Sequence, residues 1–306
     1  MTVIVLLGAV LLQICECVMN RAQADGFLGD PLLLKLVADQ NEQNVLAIRC
    51  WQGTVEAIEK SQHQDGMKVQ CRRHVDFAFD RQTDSWLWRN KLLEFSGTHG
   101  DKPLESNPLN VDGGMIKENA YYLLSPHLPS SKKRKIFVIR PIEQYPGGLT
   151  DEFTPMEFFA AESGEAAYKR FSGLYSLAMN GGAKSWTVSR VGDIVKVSTT
   201  GEILNHYEVD LRKGANVVRY SGSDGRLSED IFTEYEVKGG LWLPTRRVHK
   251  RASHDGKDSF HREYKLKTTG VNHSMKEPVI SIESLGAVTG DRIVDRRDGS
   301  DRTFGQ

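Results

Sequence analysis

From Trp186 to Val271 apolar and polar residues alternate in short runs that meet at Gly-rich turns, the pattern of antiparallel strands with one buried face. Strands are predicted there over 185–190, 193–199, 204–210, 216–221, 231–237, 241–250 and 258–268. Two turns test one another. A three-residue Lys238-Gly239-Gly240 loop pairs Val237 with Leu241 and Tyr235 with Leu243. An Asp255-Gly256 turn pairs Thr245 with Leu266 and Arg247 with Tyr264. Both registers put Ile231, Tyr235, Val237, Leu241, Leu243, Phe260, Tyr264 and Leu266 on one face. Glu234, Glu236, Arg246, Lys250, His261, Glu263, Lys265 and Lys267 fall on the other.

An earlier meander obeys the same rule. Strands are expected over 45–58 and 67–79, joined by a Gln64-Asp65-Gly66 turn, with Val69, Cys71, Val75, Phe77 and Phe79 on one face. A four-residue loop, Arg81 to Asp84, then pairs Phe79 with Trp86 and Phe77 with Trp88, and places Leu92 on that face. A one-residue slip would expose both tryptophans, so the aromatic pairs select this register. Residues 115–125 and 135–142 read as further strands. The period turns helical in two places. Asp30-Pro31 opens a helix through Gln40, and Thr154-Pro155 opens a helical stretch to Met179, interrupted at Ser163-Gly164 and stopped by Asn180-Gly181-Gly182. No repeat of fixed period occurs. The fold class expected is α+β: one curved, antiparallel half-barrel sheet covered by the helices of residues 30–41 and 154–179.

Charge narrows the function classes. Lys plus Arg equals Asp plus Glu at 40 each in 306 residues, which gives no electrostatic case for nucleic acid. At the N-terminus Val3 to Ile14 form an apolar run too short to span a bilayer, followed by Ala22-Gln23-Ala24, the small-x-small pattern of a cleavage site. Residues 1–24 are therefore expected to be a signal peptide, residues 25–295 a single domain, and residues 296–306 a disordered tail. An exported, periplasmic or extracellular protein follows, with no transmembrane segment in the mature chain. Export permits a disulfide between Cys50 and Cys71. The hairpin register opposes it, because it sets the two about eight residues apart along the strands, roughly 26 Å.

The search for chemistry finds none. No metalloprotease, nucleophile-elbow, paired-cysteine or dinucleotide motif occurs, and Gly181-Gly182-Ala183-Lys184-Ser185 lacks the spacing of a phosphate loop. His249, His254 and His261 lie close in sequence, but the register turns His249 and His261 to opposite faces. Glu208 with Asp210, and Glu234 with Glu236, pair along strands on what reads as the outward polar face. There they suit salt bridges better than glycoside hydrolysis. The basic run Lys132 to Lys135 reads as a solvated turn. No catalytic residue, cofactor or metal is expected.

Gly239-Gly240-Leu241-Trp242-Leu243-Pro244-Thr245, then Val271-Asn272, then Gly290 to Val294-Asp295 resemble the ending of a large group of secreted bacterial proteins of unknown function. The order of one helix, long strands, a helical insertion and a second meander resembles the periplasmic lipoprotein-carrier superfamily, that of the Lol carrier and the outer-membrane lipoprotein-sorting proteins. The resemblance covers most of residues 28 to 295. It implies an unclosed barrel whose concave apolar face holds acyl chains. The function expected is non-catalytic binding or carriage of a lipid, lipoprotein or other amphiphile. The candidate lining is Val75, Phe77, Phe79, Trp86, Trp88, Tyr235, Leu243, Tyr264 and Leu266. The alternative is an envelope scaffold or protein-interaction module, partnered by an envelope protein and without a ligand cavity.

Overall fold

The computed structural model describes residues 27–104, 113–125, 135–141, 155–161, 166–183, 185–200, 203–272 and 280–305. The expected signal peptide and most of the basic run lie outside them. In chain order the elements are helix α1 (Leu32–Leu46) and strands β1 (Cys50–Gln62), β2 (Met67–Asp80), β3 (Ser85–His99), β4 (Lys102–Pro103), β5 (Gly113–Lys117), β6 (Ala120–Ser125) and β7 (Ile136–Pro141). A 3-10 turn (Pro155–Phe159) and helix α2 (Ala167–Met179) follow. Then come β8 (Trp186–Val191), β9 (Ile194–Thr199), β10 (Leu204–Asp210), β11 (Asn216–Ser223), β12 (Leu227–Lys238), β13 (Leu241–Ser253), β14 (Ser259–Val271), β15 (Arg292–Asp295) and β16 (Ser300–Thr303). The class is α+β. The strands make one open sheet in the order β16-β15-β7-β6-β5-β3-β2-β1-β14-β13-β12-β11-β10-β9-β8, with β4 beside β3. The β15–β7 pair is parallel. Where a single domain was expected, the chain divides into two compact units. The first comprises residues up to Val45 and Phe159–Ile231; the second comprises Leu46–Phe158 and Phe232–Gln306.

The first unit is a helix-on-sheet core. Asp30 accepts the backbone N–H of Leu32, as its position before Pro31 predicts. The helix runs to Leu46, where the sequence pattern stopped it near Gln40 and began a strand at Val45. Its buried positions Leu34, Val37, Ala38, Asn41, Asn44 and Val45 keep the helical period. Two of them are asparagines, so the apolar stripe looks finished before it is. Asn41, fully buried, donates through Nδ2 to the Ala215 carbonyl at 3.2 Å and to Asn216 Oδ1 at 2.8 Å, which satisfies both hydrogens of its amino group. From α2, Phe171, Leu174 and Ala178 enter the same cluster as Val195, Val197, Tyr207, Val209 and Val217. Gly181 at φ 71° and the Gly182 N–H on the Leu177 carbonyl end the helix. Of the carboxylates expected to face outward here, Asp210 is buried instead and caps the short turn after β10 by accepting the Arg212 N–H.

The second unit is built on the β3-β2-β1-β14-β13 ladder. Phe79 faces Trp86 and Phe77 faces Trp88, the register the aromatic pairs predict. Arg247 faces Tyr264 as expected. Cys50 lies opposite Asp80 while Cys71 lies opposite Glu59, and no disulfide joins them. The loop after β12 is one residue shorter than expected. Gly239 and Gly240 alone connect the strands, at φ 60° and 78°, both in the left-handed region a type I′ turn requires. A change of one residue at a strand end exchanges faces, and Val237, expected to be buried, is 55% exposed.

The far side of the β2–β7 ladder is closed by the C-terminal segment. Ile280, Leu285, Ala287 and Ile293 pack with Leu87, Met115, Leu124, Phe137 and Ile139. The stretch expected to be a disordered tail carries β16, paired along its length with β15. Asn272 ties the end of β14 to the start of β1. Its Oδ1 accepts the Arg49 N–H at 2.8 Å and its Nδ2 donates to the Ala47 carbonyl at 2.7 Å.

Candidate functional site

Facing residues on adjacent strands share a side of the sheet, so the strand registers define rows. One row is Val75, Val55 and Leu266 across β2, β1 and β14. Alternation along β2 carries Phe77 and Phe79 to the same side, and Trp88 and Trp86 of β3 lie opposite them. Tyr264 joins that side two residues from Leu266. Six of the expected lining residues, Val75, Phe77, Phe79, Trp88, Leu243 and Leu266, are buried, and Trp86 and Tyr264 are half-buried. Tyr235 is buried too, and its hydroxyl donates to the Phe158 carbonyl at 3.1 Å.

Two glycines let the aromatics lie against the sheet. A Cβ on Gly114 would sit 2.4 Å from an indole carbon of Trp88, and one on Gly53 would sit 3.0 Å from the Phe77 ring. Trp51, fully buried beside them, meets Phe77 edge-on at 4.9 Å and donates its Nε1–H to Thr268 Oγ1 at 3.0 Å. The side chains reached by both meanders therefore form one aromatic and aliphatic floor within the second unit. Both α-helices enter the separate cluster of the first unit, which holds none of the nine expected lining residues.

The floor ends in charge, and this the sequence reading passed over. The row after Leu266 is Arg73, Ala57, Tyr264 and Arg247 on four successive strands. The next is Cys71, Glu59, Arg262 and His249. Arg73 and Arg247 are buried. Arg262 pairs with Glu59 at 3.3 Å, and its guanidinium lies 4.9 Å from the Phe260 ring centroid. The signal was present: the Asp255-Gly256 turn that pairs Arg247 with Tyr264 already places that arginine on the apolar side.

The 3-10 turn lies on this polar end. The Phe158 ring meets Tyr264 edge-on at 5.4 Å, and the Arg247 guanidinium carbon is 6.0 Å from its centroid. Beside it Glu157 keeps an exposed edge. Crowding by protein raises its carboxyl above the usual range, and the nearby Arg247 and Arg262 guanidiniums pull the other way. Water at the exposed edge screens both effects. Burial raises the hydroxyls of Tyr264 and Tyr235, so both stay neutral donors at pH 7.

The opposite side of the sheet is ion-paired. Arg89 meets Asp76 at 3.0 Å, and Arg246 meets Glu263 at 2.8 Å and Glu234 at 3.1 Å. His249 stands opposite Arg262 and His261 opposite Lys250, so the two imidazoles occupy different faces. A pocket of ≈ 440 Å³ lies on this side between Met115, Tyr122 and Ile139 of the sheet and Ile282, Ile293 and Phe304 of the C-terminal segment. Among the described residues no helix is long and apolar enough to cross a membrane, and no group of three metal-ligating side chains occurs.

No protein-family model and no curated protein matches the chain. Among solved structures it is similar to a LolA superfamily protein from Nitrosomonas europaea, with 11% identity over 81% of this chain and 98% of that one, at a TM-score of 0.36. It is also similar to a DUF1329 family protein from Desulfovibrio piger, with 12% identity over 84% and 100% of the two chains, at a TM-score of 0.36. A putative outer membrane lipoprotein-sorting protein domain from Vibrio parahaemolyticus matches with 10% identity over 82% and 98%, at a TM-score of 0.36.

Proposed function

We propose that this chain is a non-catalytic, extracytoplasmic binder or carrier of an amphiphile, held on the aromatic and aliphatic face of the second unit. The observation that carries the reading is the floor itself. Phe77, Phe79, Trp86, Trp88, Leu266 and Tyr264 share one side of three adjacent strands and the neighbouring β3. Acyl chains gain about 0.8 kcal/mol per buried CH₂ on such a surface, and a few polar groups at one end orient the ligand. The fluorophores Trp86 and Trp88 belong to the floor, so binding reports itself.

The test is native mass spectrometry of protein purified from its own cell envelope, with titration of single-chain lipids followed by tryptophan emission. Co-purifying lipid and a saturable emission change are expected. A bare mass under every condition with flat emission would leave this face as core and the chain as an interaction module. Sequencing the N-terminus of the envelope form checks export, with Asp25 expected as its first residue.

A further inference from the structure

We infer that the pocket between β5–β7 and the C-terminal segment is a second binding site, on the side of the sheet away from the aromatic floor. It takes a small apolar molecule ending in an anionic group, which Arg302 and Tyr122 hold. The inference goes beyond the amphiphile reading of the floor and does not depend on it.

The strand registers build the base of this pocket. Met115, Tyr122 and Ile139 form one row across β5, β6 and β7. Leu87 faces Met115 one residue before Trp88, so the row lies on the side opposite that indole. On the last hairpin Arg302 faces Ile293, and both line the pocket. The outer wall carries Ile282 and Phe304, and it is tied down. The Phe304 N–H donates to the Asp291 carbonyl at 2.7 Å, the Gly290 N–H to the Phe304 carbonyl at 3.0 Å, and Lys117 Nζ to the Ile280 carbonyl at 3.1 Å. The wall is therefore set before a ligand arrives. A volume of ≈ 440 Å³ suits a small molecule, and the buried side chains Met115, Ile139 and Ile293 give it an apolar base.

The polar groups at the mouth are unequally committed. Arg297 forks onto both oxygens of Asp295, at 2.7 to 3.3 Å. Lys117 approaches Glu118 at 3.7 Å, and a hydrogen bond from Ser281 holds the Glu283 carboxyl below its usual range. Arg302 adds to the field on Asp295, but it makes no ion pair or hydrogen bond among the described residues, and the Tyr122 hydroxyl makes no hydrogen bond among them. Burial raises that hydroxyl, so it is a neutral donor at pH 7. A guanidinium and a phenol with N–H and O–H to spare, beside an apolar base, complement an anion on an apolar body. Guanidinium forks fit carboxylate and phosphate oxygens alike, so either end group satisfies this chemistry.

The experiment titrates the full chain with decanoate, decyl phosphate and neutral decanol by calorimetry. At least about a tenfold preference for one or both anions over the alcohol is expected. Arg302→Gln, at an exposed position, should cost the anions about tenfold and leave decanol unchanged. Tyr122→Phe keeps the ring and should cost about threefold. Tighter decanoate assigns a carboxylate source; tighter decyl phosphate assigns a phosphate source. Decanoate carrying a terminal diazirine, photolysed and mapped by peptide mass spectrometry, should label residues 280–305. Label on the floor strands β1, β2 and β14 with none on 280–305 would overturn the second site and leave the amphiphile reading standing. Decanol binding as tightly as the anions, anion affinity unmoved by Arg302→Gln, or no saturable heat from any of the three would each overturn the inference.

Discussion

Trp88 owes its place to a glycine. Its indole lies so close to Gly114 that a methyl group there would stand 2.4 and 2.5 Å from two ring carbons, well inside contact distance. Gly114→Ala should therefore displace the indole and cost about 1–3 kcal/mol, read as a lowered urea midpoint with a shifted tryptophan emission. An unchanged midpoint would show that the ring is not seated on β5. Asp295 makes a second residue-scale case. Its carboxylate, 4% exposed, accepts from Arg297 at 2.7 Å. That hydrogen bond holds its pKa below the usual carboxylate range, with burial opposing and Arg302 adding to the pull. A depressed folded pKa gives stability that is complete above the unfolded value near 3.9 and is lost as pH falls through the folded value. Asp295→Asn should cost about 1–3 kcal/mol at pH 7 and less at pH 2, in urea melts at the two pH values. Neither residue was legible beforehand, since Gly114 falls just before the strand expected from residue 115 and Asp295 in an ending known only by resemblance. Arg73, Arg247 and Arg262 were legible in position but not in meaning. Alternation puts them on the apolar side, and a count of apolar residues simply skips them.

At the scale of the element, the strands were easy to read and the helix ends were not. Hairpin registers are fixed by large aromatics that would suffer from a slip, and Phe77–Trp88, Phe79–Trp86 and Arg247–Tyr264 stand where those side chains demand. The Gly239-Gly240 loop was misjudged by one residue: the two glycines, at φ 60° and 78°, close the turn without Lys238, and Val237, expected to be buried, is 55% exposed. Helix α1 shows the opposite difficulty. Its last turn and a half is oriented by Asn41 and Asn44, polar side chains at core-facing positions, and a stripe search ends where they begin. Asn41→Leu would improve the apparent amphipathicity of the helix. It should nevertheless destabilise the protein by about 1–3 kcal/mol, because Asn216 Oδ1 and the Ala215 carbonyl lose a buried donor. Thermal unfolding compared with Asn41→Asp and wild type checks this. A Leu variant as stable as wild type would mean that hydrophobic burial outweighs the amide.

For the molecule as a whole the decisive property is that its sheet does not close. An open sheet keeps two edges, here β16 and β8, and an uncovered edge is a template for a second chain. The two ends are managed differently. Beside β8 the chain lays Leu28 in a parallel bridge to Thr187, with the Leu28 N–H on the Trp186 carbonyl and the Val188 N–H on the Leu28 carbonyl. At the other end β16 is only four residues, Ser-Asp-Arg-Thr, with Asp301 and Arg302 exposed and Asp301 engaged by Arg292 across the pair. Shortness and charge are the standard protections of an edge, and the net charge of the chain, zero at pH 7, supplies no repulsion to replace them. This makes the terminal strand the sensitive place. Replacing Asp301 and Arg302 together by valine removes both charges and raises β propensity. The expected outcome is a rise in apparent mass with protein concentration, by size exclusion with light scattering, beyond that of wild type at the same concentration. Arg292→Gln alone breaks the ion pair but leaves charges on the edge, and should not raise the mass. If the valine variant keeps the wild-type mass throughout, the charges on β16 are not what keeps this edge from pairing.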